Sequence, residues 1–237
     1  MSKKFKFLPL NQKVADNIPG PKPSKLYLPD WLRSMPRDIQ QLNSDKTVPT
    51  AKKCMPFVDS FLSGYTQELP CDVKVYKEQT RAGTGEDVIR YEWAGPFKPI
   101  SSREQSENRP LIFPKFEGYY HTELQWDTFW EPQTPKGYSA FYNHPANRFD
   151  LPFQTMSGII DTDDWPVTGP IPFLLKEGFE GVIPKGTPIY QITFIKRENW
   201  EATYSDYDPV VETLQYKVRS VFTGGYKKQF WKRKDFK

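Results

Sequence analysis

Residues 135–197, PKGYSAFYNHPANRFDLPFQTMSGIIDTDDWPVTGPIPFLLKEGFEGVIPKGTPIYQITFIKR, constrain the fold more than any other part of the chain. Two Pro-Lys-Gly turns, Pro135-Lys136-Gly137 and Pro184-Lys185-Gly186, each feed a short apolar strand. Proline fixes its own φ and glycine accepts the backbone a tight turn needs, so each triplet reverses the chain at a set point. Between them Ser157–Asp163 (SGIIDTD) is an apolar run that ends in carboxylates. The 23 prolines and 16% aromatic content extend the pattern to the whole chain: many short strands, fixed turns and little long helix. The expectation is a mainly β protein.

Upstream, residues 1–50 are proline-rich around IPGPKPSKLYLPDWLRSMPRD, and Pro19, Pro21, Pro23 and Pro29 forbid a continuous helix there. They read as an extended arm laid over a surface, either its own domain's or a neighbour's, with Trp31 as its aromatic anchor. Residues 51–200 read as the β domain. Lys52–Glu68 forms a first strand or a short buried helix, broken at Gly64. Asp72–Gln79 and Asp87–Trp93 alternate apolar and charged positions around Ala82-Gly83-Thr84-Gly85, which predicts a hairpin. Gly95–Pro114 reads as a long polar loop, and Gly118–Trp130 as an aromatic strand entering the core. Residues 201–237 read as one helix and a basic tail. Asp208 caps it, Pro209 occupies its first position, Val210, Val211, Leu214, Val218, Val221 and Phe222 recur at helical spacing, and Gly224-Gly225 stops it.

Charge and cysteine usage narrow the class. Six cations between Lys227 and Lys237 face only Asp235, so the net +4 of the chain resides in the tail and the body is near neutral. Cys54 and Cys71 are expected as reduced thiols, and their spacing with two histidines matches no zinc pattern. A mean hydropathy of −0.70, no apolar run of membrane-spanning length and no signal segment predict a chain that is neither secreted nor membrane-bound.

The order PKGY, then SGIIDTD, then PKGTPIYQI resembles the trimeric dUTP pyrophosphatase and dCTP deaminase superfamily, whose fold is the β-clip. The resemblance implies a β-clip or jelly-roll-like barrel and a homotrimer. It also implies Asp161 as the base acting on water beside Mg²⁺, the one cofactor this reading would need. The remaining parts depart from the pattern. Asp164 stands where a tyrosine would pack on the sugar, with Trp165 adjacent; Asn143-His144-Pro145-Ala146-Asn147-Arg148 replaces the phosphate motif; Thr223-Gly224-Gly225 poorly replaces the closing segment. Candidate ligand-binding residues are thus His144, Asn147, Arg148, Asp161, Asp163 and Trp165. Asp161 has a structural alternative, accepting backbone N–H groups in a turn. Over its full length, through KKCMPFVDSFLSGY, WEPQTPKGYS, HPANRFDLPF, SGIIDTD and GTPIYQITFIKR, the chain is also similar to an uncharacterised family of phage and bacterial proteins.

Two further constellations carry chemistry. His121 and Glu123 with His144 reproduce the His-x-acid…His set of non-haem iron sites, a weak metal candidate because His144 follows so closely. In the tail, Phe230 and Trp231 interleave with Lys232, Arg233 and Lys234, which suits either base stacking with phosphate contacts or docking on an acidic protein surface. The leading expectation is a phage-type structural or interaction protein, in a virion or the host cytoplasm. It needs no cofactor and grips protein neighbours, its own copies included, through terminal arms. A nucleotide hydrolase and a nucleic-acid binder acting through the tail are the rivals.

Overall fold

The computed structural model describes residues 4–78, 88–103, 112–221 and 224–237. The chain is mainly β, in open antiparallel sheets, with no closed barrel among the described residues. It divides into two compact units: residues 1–22 with 64–197, and residues 23–63 with 198–237.

The first unit is the β scaffold. Strands Gly158–Ile160, Tyr138–Asn143, Pro188–Lys196 and Tyr65–Glu68 lie side by side in that order. Pro188–Lys196 is central, and its first five residues are buried on both faces. A second sheet runs Phe153–Thr155, Ile171–Leu175, Glu123–Trp126, Ile100–Arg103. In Ile171–Leu175 strict alternation sends Ile171, Phe173 and Leu175 inward. There Trp126 stacks on Phe173 with ring centres 3.8 Å apart, and its indole N–H donates to Thr155 Oγ1 at 3.0 Å. A buried indole needs such an acceptor, so Thr155 is part of the core rather than an intrusion into it. Val73–Glu78 and Val88–Trp93 pair as the hairpin expectation requires; the turn at 82–85 lies outside the described residues.

The start of the N-terminal segment lies on its own unit rather than on a neighbour. Lys6–Pro9 pairs with Trp130–Gln133, and Phe5 and Phe7 enter an aromatic cluster with Tyr65 and Phe194. Phe5 and Phe7 alternate with Lys4 and Lys6, the period of a half-buried strand, so this segment has a reason to pair before the prolines begin. A short helix α1 (Gln12–Asn17) follows, capped by Asn11, whose side chain accepts from Val14 N–H at 3.0 Å.

The second unit holds α2 (Asp30–Ser34), α3 (Met55–Leu62), α4 (Val210–Ser220), α5 (Gly225–Gln229) and a ribbon of Asp38–Gln40 with Thr47–Pro49. Helix α3 takes the helical alternative for Lys52–Glu68, and α2 starts at Asp30 behind Pro29; α1 and α5 are too brief for periodicity to reveal. Trp31 packs against Phe57 and Phe61, which gives the proline-rich segment a small aromatic core within this unit. Helix α4 begins as its sequence predicts, with Asp208 Oδ1 accepting from Val210 N–H at 2.8 Å. It ends at Ser220, and the later Gly224, in the left-handed region, starts α5 rather than stopping α4. Phe222 and Thr223 lie outside the described residues, as do residues 104–111 of the expected long loop.

Candidate functional site

The SGIIDTD segment leaves strand Gly158–Ile160 and turns at Asp161–Asp164 beside the first Pro-Lys-Gly turn. Register sets what meets it. Tyr138 pairs with Lys196, and Arg197 N–H donates to Gly137 O at 2.9 Å, so the Arg197 side chain is delivered onto the two aspartates. Arg197 Nη1 donates to Asp163 Oδ1 at 2.9 Å, its Nη2 pairs with Asp163 Oδ2, and Gly137 N–H donates to the same Oδ2 at 2.8 Å. The Asp163 side chain is only 1% exposed. The Arg197 guanidinium, and after it the Gly137 N–H, hold its carboxyl far below the ordinary carboxylate range. Such a bidentate, charge-assisted pair fixes geometry strongly.

Asp161 is 67% exposed, yet it too is engaged. The buried Ser139 hydroxyl donates to its Oδ1 at 2.6 Å, and Arg197 Nη1 lies 3.2 Å from the same oxygen. Behind it, Thr134 and Thr162 join through their hydroxyls at 2.9 Å, and Thr134 Oγ1 donates to Tyr138 O. A base that activates water beside Mg²⁺ needs carboxylate charge to spare for the cation. Here the Asp161 carboxylate shares one guanidinium with Asp163 and accepts from Ser139, so both aspartates are tied to neighbouring strand ends. The corner therefore locks two strand ends together, and Trp165 projects beside it into solvent.

The segment Asn143–Arg148 is similarly self-contained. His144 Nδ1 accepts from Thr155 N–H at 3.2 Å and its Nε2 donates to Arg148 O at 3.1 Å, which uses both ring nitrogens. Burial pushes the His144 imidazole below its ordinary value, so the neutral form is the folded one. Arg148 grips Asp150 through Nε at 2.9 Å and Nη2 at 2.8 Å. Asn147 takes a left-handed backbone in the turn, at φ 55. These are the contacts of a folded loop, and Arg148 does not present its guanidinium to a phosphate.

His121 and Glu123 serve another loop. Glu123 Oε1 accepts from Phe113 N–H at 3.0 Å and from Ile112 N–H, while His121 Nε2 lies 3.2 Å from Phe113 O. Among the described residues no group of three His, Cys, Asp or Glu is placed to hold a metal. Cys54 and Cys71 are free thiols. A cavity of about 380 Å³ in the β unit is lined by Ile18, Cys71, Asp72, Phe97 and Lys185 among others, and by none of the candidates above.

The tail is pinned within the second unit. Trp231 Nε1 donates to Asp59 Oδ2 at 2.8 Å, and Lys234 Nζ reaches the same oxygen at 2.5 Å. Lys227 and Lys234 both lie over the Trp231 ring, at 5.9 and 5.8 Å from its centre. A ring flanked by two cations and tethered through its N–H is a poor platform for a base. Arg233 pairs with Asp235, Lys232 O accepts from Lys234 Nζ, and Phe230 stays partly exposed.

What remains open is a stretch that the candidate residues did not include. From Glu198 to Tyr216 every residue is exposed, and Trp200 and Tyr204 reach 87% and 96%. Tyr207, Val210, Val211, Leu214 and Tyr216 are exposed with them, so α4 buries none of its residues. The sequence did hold a signal for it: five carboxylates and no Lys or Arg lie between Arg197 and Lys217.

No family model matches the chain, and no curated protein matches it in sequence. Among solved structures, the dUTPase from phage phi11 of S. aureus is similar over 47% of this chain and 98% of its own, at 12% identity and a TM-score of 0.27. A likeness at that TM-score bears on neither fold nor function.

Proposed function

We propose that this chain is a structural or assembly protein of the phage type, with a non-catalytic β scaffold and a docking segment at residues 198–221. The observation that carries this reading is the run of exposed aromatic and aliphatic side chains from Trp200 to Tyr216. Contiguous apolar surface of that kind, rimmed by carboxylates, marks a protein-binding site more often than a resting surface. The paired state of Asp161, Asp163 and Arg197 supports it, as does the engagement of Arg148 and His144, since these groups are already bound to neighbours within their own unit. The N-terminal segment packs against its own unit, so the gripping element is the C-terminal stretch alone. The reading requires no cofactor; Mg²⁺ belongs to the hydrolase alternative.

Gradient sedimentation from cells producing the assembled particle tests the proposal. Wild-type protein is expected in particles, and Leu214→Asp is expected as free protein with an unchanged melting temperature. Free wild-type protein, stabilised by dUTP with Mg²⁺ and losing that shift in Asp161→Asn, would overturn it.

A further inference from the structure

The C-terminal forty residues form two charge blocks. Residues 198–216 carry Glu198, Glu201, Asp206, Asp208 and Glu212 with no cation, whereas residues 217–237 carry eight cations against Asp235. Both blocks bear exposed rings: Trp200, Tyr204 and Tyr207 in the first, Tyr226 and Phe230 in the second. Among the described residues Glu201 and Asp206 pair with no cation, and Lys228 and Lys232 pair with no carboxylate. Between the blocks lies α4, whose Val211, Leu214 and Val218 recur at three- and four-residue intervals, the spacing of a helix–helix seam. None of these three is buried. The chain folds back after α4, Gln229 Nε2 donating to Lys217 O at 3.1 Å, so the basic block gathers at the C-terminal end of α4 and the acidic block at its start.

We infer that this segment pairs with the same segment of a second copy of this chain, antiparallel, across a two-fold axis centred near Leu214. The inference rests on the docking segment proposed above and names its partner. Direction follows from charge. A parallel pair sets acid on acid and base on base. An antiparallel pair sets the acidic block of each copy on the basic block of the other, twice, as a two-fold interface requires. It also opposes the two helix dipoles favourably. A helix of 11 residues is too short to hold such a pair by its seam alone, so the charged blocks supply the rest and salt controls the affinity.

Sedimentation velocity on the full chain tests this. A dimer is expected at about 50 mM NaCl, with its dissociation constant weakened at least about tenfold at about 500 mM. The double variants E201K/D206K and K228E/K232E are each expected to be monomers. Mixed in equal amounts they are expected to recover the dimer, because both cross-contacts again join opposite signs. Their melting temperatures should match wild type, which keeps the test independent of folding. A full chain that is monomeric at low salt overturns the inference, and so does a mixture of the two variants that stays monomeric. A monomer that still enters particles breaks self-pairing alone; a monomer that also stays out of them breaks the assembly reading too.

Discussion

The stretches Asp161–Trp165 and Glu198–Asp208 each set several carboxylates around a tryptophan. In the first, Asp163 is answered by Arg197 and Gly137, and Asp161 by Ser139. In the second, Glu201 and Asp206 have no cation among the described residues and Trp200 lies in solvent. Composition does not separate them. Strand register does, because pairing Tyr138 with Lys196 leaves Arg197 no place but the aspartate corner. Acidic groups that the fold has satisfied belong to the frame, and those it has left open are available to something outside it.

The strongest attack on that contrast uses two glycines with the same local problem. A Cβ at Gly64, where φ is +73, would lie 2.0 Å from Ile192 O in the central strand; at Gly225 it would lie 2.1 Å from Val218 O in the α4–α5 fold-back. Gly64→Ala is expected to cost about 3 kcal/mol, since neither backbone can yield inside a sheet. Gly225→Ala is expected to loosen α4–α5 while the main unfolding transition stays in place. Thermal denaturation followed by circular dichroism reads both. Equal losses would mean that the C-terminal segment is as much a part of the frame as the sheet.

Within the aspartate corner, Asp163→Ala should lower the melting temperature well beyond Asp161→Ala, because it strands Arg197 and the Gly137 N–H while Asp161 sits largely in water. The folded Asp163 carboxyl titrates below its unfolded value. Its contribution is therefore complete above the ordinary carboxylate range and disappears as pH falls through the folded value. An Asp163→Ala protein as stable as wild type at neutral pH would return this corner to the list of open sites.

His144 sharpens the same point on a smaller scale. Its folded value lies below the ordinary 6.5, so the unfolded chain takes up the proton first. Stability should be complete above that value and fall as pH drops toward the folded one, by at most about 1.4 kcal/mol per pH unit. His144→Gln should flatten the dependence over that interval. A slope unchanged in the variant would show that burial does not hold His144 neutral.

Much of the β scaffold was legible because its signals are local. The two Pro-Lys-Gly turns, the alternation of Val73 to Glu78, and the Asp208 cap with its helix all act within a few residues. The candidate corner was legible only in half. Asp161 and Asp163 are conspicuous after an apolar strand, but their partners, Ser139 and Arg197, lie 22 and 34 residues away and are brought in by register. The His144–Arg148 loop misled for the same reason: side chains that suit a phosphate are spent on Thr155, Asp150 and their own backbone. The tail read as reaching for an outside partner because the acceptor of Trp231, Asp59, is 172 residues distant.

Trp200→Ala carries the smallest expected change in stability and decides most about the open stretch. The ring is exposed to solvent along nearly its whole surface, so its removal should move the unfolding free energy by no more than about 0.5 kcal/mol. An aromatic anchor at an interface behaves differently, since burying the ring is then part of binding, and its loss should weaken self-association by at least about tenfold. The two readouts, melting temperature and dissociation constant, should separate completely for Trp200 and not at all for Trp126, whose ring is buried against Phe173. Should Trp200→Ala leave association untouched, the rings of this segment are bystanders and the charge blocks act without them.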